Sequence, residues 1–528
     1  MAEPLKSEVS SDRVPPPPPY EFDPEASSSR GVSCFWGSGM KIGPRIGPHI
    51  TGNVFDSDSD DSSGAILEKQ IAQEDGCAIQ YRTCSWQKTA ALLFSEYICL
   101  AIMSFPWSYS VLGLVPGLIL TVVVAVFVLY TSMILWEFCL RHPEVRDVCD
   151  IGQMLFWNKK WAWWATAAMF LLNNTFIQGL HVLVTAKYLN TMTAADDNIA
   201  CRTVSFGVVA MVISWLCSLP RTFSMLSKLG TGSAFFTFVS VLLATIFAAI
   251  QAHPAGYDPR PSFIDAAGDK AVGGNPIVTA FPVAGTTFVA GLNAFMNISY
   301  TFIGQITLPS FIAEMKDPRE FPKALWACTI AEIVLFSLVG SIVYAYVGNQ
   351  YITAPAFGSL TPLFKKISFS FMIPTLIFLG VLYASVSARF IFFRIFDKSP
   401  RHKNEHTALG WGVWTAILLI SWILGFIIAE VIPFFSDLLS LMSSLFDSFF
   451  GFIFWGVAYF RMRQADGRLA LVKQGNVYAI LMAALNVAII LIGIFFLTAG
   501  TYASVQSIAD AFRTHQVGGV FTCASNGL

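Results

Sequence analysis

Eleven apolar runs, each long enough to cross a bilayer, dominate this 528-residue sequence. They lie near 88–112, 114–138, 162–186, 203–219, 229–251, 284–312, 325–347, 370–396, 411–432, 435–460 and 477–502. A helix rises about 1.5 Å per residue, so about 20 apolar residues span the hydrocarbon core. None of the runs alternates with period two, as the strands of a membrane β-barrel would. With no water at that depth to satisfy the backbone, a polytopic helical bundle is the predicted fold. Composition agrees: 55% of residues are hydrophobic and 13% charged, about half the usual charged share, too little to cover a large soluble globule. The net charge of −1 provides no basic face for nucleic acid.

Lys and Arg set the orientation. With the N-terminus inside, 26 of the 33 basic residues fall on the cytoplasmic side and 7 outside. An odd number of spans then puts the C-terminus outside. The expected organisation is a disordered cytoplasmic tail over 1–85, a membrane domain over 86–503 and an extracytoplasmic tail over 504–528. The first tail carries five consecutive prolines, Pro15 to Pro19, and the acidic serine run from Ser57 to Ser63; neither can bury a core. It reads either as a solvated leader or as a regulatory segment for a kinase or trafficking partner, phosphorylated at serines such as Ser57, Ser59 or Ser62. No secretory signal peptide precedes the first span. The ten cysteines show no metal-binding spacing. Cys201 and Cys523 both fall outside, where a disulfide between them is one reading. The two N-x-[ST] sequons, at Asn173/Asn174 and Asn297, fall inside spans, out of reach of glycosylation.

Two spans look interrupted. In the first, Cys99-Leu100-Ala101-Ile102-Met103-Ser104-Phe105-Pro106 sets small or polar residues ahead of a proline, which frees a backbone carbonyl four residues back. In the sixth, Asn297-Ile298-Ser299-Tyr300-Thr301-Phe302-Ile303-Gly304-Gln305 is a polar patch at mid-span, followed by Pro309. Singly, each reads as a proline kink. As first members of two sets of five, they point to an inverted-repeat transporter with its site at the midplane. Freed N–H groups would receive a carboxylate and freed carbonyls an ammonium group, which suits a zwitterionic amino acid. Cys99, Leu100, Ala101, Ile102, Ser104, Asn297, Ser299, Tyr300 and Gly304 are the candidate binding residues at the breaks. Asn174 and Gln178 join them from span three, where with His181 they follow i, i+4, i+7 spacing and share one face.

Ionisable groups at membrane depth are functional candidates by default. Glu96, His181, Glu332 and Asp447 form the short list for proton coupling, with helix-to-helix hydrogen bonding as the plainer alternative for each. Glu137 and Arg141 read as an interfacial i,i+4 pair, and Arg389 and Arg394 as side chains that snorkel to the edge. Asp317-Pro318-Arg319-Glu320 reads as a helix start, with an N-cap, a proline at the first position and an acid at the third.

The chain resembles the amino acid/auxin permease family, in its fungal, neutral amino acid branch. The resemblance is carried by Tyr81-Arg82-Thr83, by Ser104-Phe105-Pro106 with Leu112-Gly113-Leu114-Val115-Pro116-Gly117, by His142-Pro143-Glu144-Val145-Arg146-Asp147-Val148, and by Gly304 with Ala313-Glu314-Met315-Lys316-Asp317-Pro318-Arg319-Glu320-Phe321-Pro322-Lys323-Ala324-Leu325. It covers residues 80–503. It implies an all-α fold of eleven transmembrane helices, five plus five in inverted repeat and one extra, with helices 1 and 6 broken. It also implies proton-coupled amino acid uptake, with span three lining the site. Ser385 and Ser387, beside Tyr383 in span eight, fall where sodium-coupled relatives hold a cation; here the coupling ion is expected to be a proton. One departure stands out: the family usually has glycine in the first break, and this chain has Cys99-Leu100-Ala101, where alanine resists φ > 0. The resulting expectation is a proton-coupled symporter of neutral amino acids in the plasma membrane, with a vacuolar exporter or a non-transporting amino acid sensor as alternatives. A membrane-embedded enzyme fits poorly: G-x-G-D, G-x-S-G and H-E-x-x-H are absent, as is a Walker A sequence. No cofactor is expected.

Overall fold

The computed structural model describes residues 42–47, 84–143, 145, 147–193, 202–221, 223–260, 273–396, 406–514, 519–521 and 523. Pro15–Pro19, the serines of the acidic run and Cys201 lie outside them. The helices are α1 (Trp86–Tyr97), α2 (Phe105–Leu112), α3 (Leu114–Arg141), α4 (Val148–Leu155), α5 (Lys160–Met192), α6 (Arg202–Ser218), α7 (Phe223–Ile250), α8 (Phe288–Phe302), α9 (Leu308–Ala313), α10 (Phe321–Tyr351), α11 (Pro362–Ser370), α12 (Ile373–Ile395), α13 (Ala408–Val431), α14 (Phe435–Met442), α15 (Phe454–Ala465), α16 (Leu469–Lys473), α17 (Val477–Phe495) and α18 (Thr501–Arg513). A π-helical stretch, Ser443–Ile453, joins α14 to α15, and a shorter one, Phe496–Gly500, joins α17 to α18. Among the described residues the one departure from helix-and-loop structure is an isolated parallel bridge between Cys84 and Met315.

A helix or broken helix pair lies at each of the eleven apolar runs. Among the described residues eight helices are long and apolar enough to cross a membrane, counting α14 with α15 and α17 with α18 as one each, and α1 with α2, bent by 47° at their break, would make a ninth. The helix α6 is apolar but shorter, and α8 stops after 15 residues at its own break. Lengths follow from the sequence: α5, with 33 residues, is about 50 Å long, well beyond the hydrocarbon thickness of about 30 Å.

The long helices α3 and α7 are apolar on all sides, as expected where one face meets lipid and the other meets protein. On α3, Ile119, Val122 and Val126 are exposed, while Thr121, Val124, Ala125 and Val128 are buried. Small residues set the tightest crossings. A Cβ on Gly179 of α5 would come within 2.9 Å of the Gly425 carbonyl of α13, so these backbones touch. Asp317 does start the approach to α10: its carboxylate accepts the Arg319 amide at 2.9 Å and Pro318 follows. Trp136 of α3 donates to the Pro318 carbonyl at 2.8 Å.

At the end of the bundle where α3 and α15 terminate, Glu137 and Arg141 pair at 2.6 Å, as their spacing predicts. The pair extends into a square: Arg141 also binds Asp466 at 2.7 Å, and Arg463 binds both Asp466 and Glu137, at 2.9 and 2.7 Å. Residues 42–47, within the stretch read as a solvated tail, lie against this square. Arg141 donates to the Pro44 carbonyl at 3.1 Å, and the Ile46 amide donates to the His142 imidazole at 3.2 Å. Arg394 sits over the rings of Trp163 and Phe390, at 4.2 and 3.6 Å. At the far end of the chain, Arg202 donates its amide to the Cys523 carbonyl at 3.1 Å, and Cys523 is disulfide-bonded.

Candidate functional site

Both sequence-predicted interruptions are breaks in helix geometry. The first lies at Ile98 (φ −77, ψ 84) and Cys99 (φ −120, ψ −178), between α1 and a 3₁₀ turn, Leu100–Ser104, that leads into α2. Both residues are extended or near-extended, a conformation open to any side chain, so the break needs no glycine. Pro106 stands in the first turn of α2, where its missing N–H is harmless. The second break runs from Ile303 (φ −94, ψ 103) to Thr307, between α8 and α9. It is anchored to α3 by Gln305, which donates to the Thr131 hydroxyl at 3.1 Å.

The two breaks meet. A Cβ on Gly304 would fall 2.4–2.7 Å from the ring and hydroxyl of Tyr97, so glycine is what lets the Tyr97 ring lie on the second break. The approach is held at one end by the Cys84–Met315 bridge: the Cys84 amide donates to the Glu314 carbonyl at 3.1 Å, and the Lys316 amide to the Cys84 carbonyl at 2.9 Å. Burial raises the Glu314 carboxyl above its usual range there, partly offset by Lys88.

Glu96, the last acid of α1, reaches across this junction. Its Oε1 accepts from the Tyr383 hydroxyl of α12 at 3.0 Å, and its Oε2 lies 3.2 Å from the Thr307 hydroxyl in the second break. The Thr307 hydroxyl also lies 2.9 Å from the Gly304 carbonyl, which accepts the Thr307 amide at 3.1 Å. Beside the junction is a cavity of about 70 Å³, lined by Glu96, Tyr97, Cys99, Asn173, Ile177, Tyr300, Thr301, Ile303, Gly304, Ile306, Tyr383, Asp447 and Phe450. It is bounded by both breaks, α5, α12 and the π-helical stretch. Its lining holds two carboxylates and, among the described residues, no Lys, Arg or His.

Comparison with known proteins puts this arrangement in context. The family described as transmembrane amino acid transporter protein matches residues 82–506, which include every helix named above from α1 through α17. The chain belongs to that family. An N amino acid transport system protein from Neurospora crassa is 31% identical over 468 residues, covering 87% of this chain and 92% of that protein. A transmembrane transporter from Gibberella moniliformis is 30% identical over 474 residues, covering 88% of this chain and 94% of that one. Solved structures with similarity include a Na⁺-coupled sialic acid symporter (13% identity, TM-score 0.42, 87% of this chain and 98% of that one). A nucleobase-cation-symport-1 family transporter is another (13% identity, TM-score 0.42, 84% of this chain and 95% of that one).

In this amino acid transporter the sequence-predicted residues divide into two groups. Glu96, Cys99, Tyr300, Gly304 and Asp447 line the cavity. Leu100, Ala101 and Ile102 are buried beside it, contributing backbone at the start of the 3₁₀ turn while their side chains pack inward. Ser104 turns its hydroxyl onto the Ala101 carbonyl at 2.7 Å. Asn297 and Ser299 are fully buried on α8, with side-chain polar atoms that have no hydrogen-bond partner among the described residues. The face shared by Asn174, Gln178 and His181 is interior but meets other helices. Asn174 donates to Ser387 of α12 at 2.9 Å, Gln178 accepts from Ser421 of α13 at 2.8 Å, and His181 packs over Gly380. Ser387 is thus engaged by Asn174, while the Ser385 hydroxyl has no partner among the described residues. Glu332 accepts from the Cys328 thiol at 3.1 Å on α10, away from the cavity lining.

Residues that sequence reasoning left aside complete the lining. Asn173 is the cavity residue of the polar stripe on α5, one position from Asn174. Tyr97 and Thr301 flank positions already singled out, Tyr383 precedes the two serines by two and four residues, and Thr307, outside the lining, reaches Glu96 from the second break. Polarity at a break was the usable signal for them. Nothing in the sequence marks Ile177, Ile306 or Phe450.

Proposed function

We propose that this transporter is a proton-coupled symporter of neutral amino acids that works by alternating access across eleven spans, with its N-terminus in the cytoplasm, its C-terminus outside and its seat in the plasma membrane. The observation that carries the reading is the Glu96 junction. One carboxylate ties three elements that alternating access must move relative to one another: the first broken span, the break of the second, and α12. Its setting favours a proton: its two partners are neutral hydroxyls, and no Lys, Arg or His borders the cavity among the described residues. With Glu96 ionised, its oxygens accept from Tyr383 and Thr307 while the Thr307 amide serves the Gly304 carbonyl at 3.1 Å, so the cost of this form is its unpaired charge in a low-dielectric site. With Glu96 protonated, its hydroxyl donates to Thr307, Thr307 donates to Gly304, and Tyr383 still donates to Glu96. Both states satisfy these groups, and the protonated one does so without a buried charge.

In this reading the substrate carboxylate meets the first N–H groups of the 3₁₀ turn at Leu100 and Ala101, which precede its earliest internal hydrogen bond. Rocking of one helix set would open the cavity of about 70 Å³ to either side. The positions of the two breaks, first in each set of five spans, support an inverted repeat. The partition of Lys and Arg supports the orientation.

The test is uptake by the purified chain in liposomes with an acid exterior, using a panel of radiolabelled amino acids. Accumulation of neutral amino acids that collapses with a protonophore is expected. No accumulation of any amino acid, with or without sodium, would overturn the proposal.

A further inference from the structure

The cavity holds two acids in opposite situations. Glu96 has two hydroxyls within hydrogen-bond distance. Asp447 is only 6% exposed and lines the same cavity, yet its Oδ2 has no hydrogen-bond partner among the described residues. An ionised carboxylate in such a place is expensive unless a cation or a set of donors faces it. The lining supplies no cation, because no Lys, Arg or His borders the cavity among the described residues, and the donor at hand is one hydroxyl, that of Ser443. What surrounds it instead is aromatic: the rings of Tyr300, Tyr97, Tyr383 and Phe450 share the lining. Aromatic faces beside a carboxylate form a recurrent receptor for an ammonium group.

The backbone adds a second indication. Asp447 sits within the 11-residue π-helical stretch, Ser443–Ile453. A π-turn has poorer hydrogen-bond geometry than an α-turn, and where one interrupts an α-helix it is frequently at a functional position. Here it presents Asp447 and Phe450 together to the cavity.

We propose that Asp447 is the counter-ion for the ammonium group of the transported molecule, which makes the amine, rather than the carboxylate, the group this wall of the cavity selects. This rests on the cavity being the substrate site. It divides the labour between the two acids: Glu96 carries the proton and Asp447 binds the cargo. Amine-bearing zwitterions and simple amines are ligands of the site, and deaminated acids are not.

The experiment separates this from transport itself by reading binding. The purified full-length chain is heated with L-alanine, with ethylamine (alanine without its carboxylate) or with propanoate (alanine without its amine), and the shift in melting temperature is recorded. Stabilisation by alanine and ethylamine but not by propanoate is expected. Asp447→Asn should weaken ethylamine binding at least about tenfold, as loss of one charge-assisted contact implies, and Asp447→Glu should restore part of it. Stabilisation by propanoate alone, equal ethylamine affinity in Asp447→Asn and the wild type, or no shift with any of the three would overturn the inference. Where Asp447→Asn fails to fold, the contrast between ethylamine and propanoate on the wild type still decides. A chain that binds ethylamine through Asp447 but accumulates nothing in liposomes would refute the transport proposal and leave this one standing.

Discussion

At the scale of single residues, the decisive feature is a buried carboxylate whose partners are two neutral hydroxyls. Tyr383, Glu96, Thr307 and the Gly304 carbonyl form one chain of hydrogen bonds, complete with or without a proton on Glu96, so the proton removes a buried charge rather than filling a gap. Glu96→Gln reproduces the protonated pattern permanently, because the amide can accept from Tyr383 and donate to Thr307. The variant should therefore exchange labelled for unlabelled substrate across the membrane while no longer concentrating it. One proton per cycle under a one-unit pH gradient supplies about 1.4 kcal/mol, or about tenfold accumulation. In Glu96→Gln that ratio should fall to unity in the liposome assay, and a retained tenfold ratio would show that the proton travels elsewhere. The neighbouring polar stripe teaches a limit of residue-scale reading. Helical spacing correctly grouped Asn174, Gln178 and His181 on one interior face. It could not say that this face meets α12 and α13, or that the cavity lies one residue round the helix at Asn173, since spacing fixes a direction and only packing decides what stands there. Asn173→Ala should accordingly raise the KM for uptake several-fold. Asn174→Leu, which leaves Ser387 without its partner, should lower thermal stability by about 1–3 kcal/mol with the KM little changed.

At the scale of elements, the molecule is organised by two interrupted helices pressed together. Their existence was legible because proline and polar residues inside an apolar run leave few alternatives. Their geometry was less so. The replacement of glycine by Ala101 suggested a constrained first break, but the chain turns at Ile98 and Cys99 using extended backbone, so no positive φ is called for. The glycine that matters is Gly304, and it matters for space: its missing side chain is where the Tyr97 ring lies. Gly304→Ala should push the breaks apart, an overpacking penalty of about 1–3 kcal/mol, and reduce uptake by an order of magnitude or more. Adding Tyr97→Ala removes the ring that the new methyl meets, so the double variant should transport better than Gly304→Ala alone. If the second change only worsens transport, Gly304 is needed for its backbone freedom rather than for close approach.

At the scale of the whole molecule, the apolar runs foretold nearly all of the helical layout, because burial in lipid leaves the backbone one solution. Contacts between residues far apart in sequence were not foretold, and the square of Glu137, Arg141, Arg463 and Asp466 is the clearest of them. Its Glu137–Arg141 edge is legible in the i,i+4 spacing, and Arg463–Asp466 is a local i,i+3 pair as well; what the sequence could not show is that the two pairs meet. The other two members lie more than 300 residues further along and close the end of the bundle by tying α3 to α15. Burial alone would raise the Asp466 carboxyl, but the hydrogen bonds and charges of Arg141 and Arg463 outweigh it and hold the group below the ordinary carboxylate range. A carboxyl depressed in the folded state adds stability above its unfolded value, about 3.9, and that contribution drains away as the pH falls through the lower folded value. The melting temperature of the wild type should therefore drop as the buffer is acidified below about pH 4. Asp466→Asn should melt lower at neutral pH, by the equivalent of about 1–3 kcal/mol for the charged hydrogen bonds lost, and should show less of that acid-dependent drop. The same square seats residues 42–47 through Arg141, so the variant should also expose that segment to faster amide hydrogen exchange at neutral pH. Unchanged exchange would mean that the segment is held by His142 and its own packing, and that the ion pairs serve the helices alone.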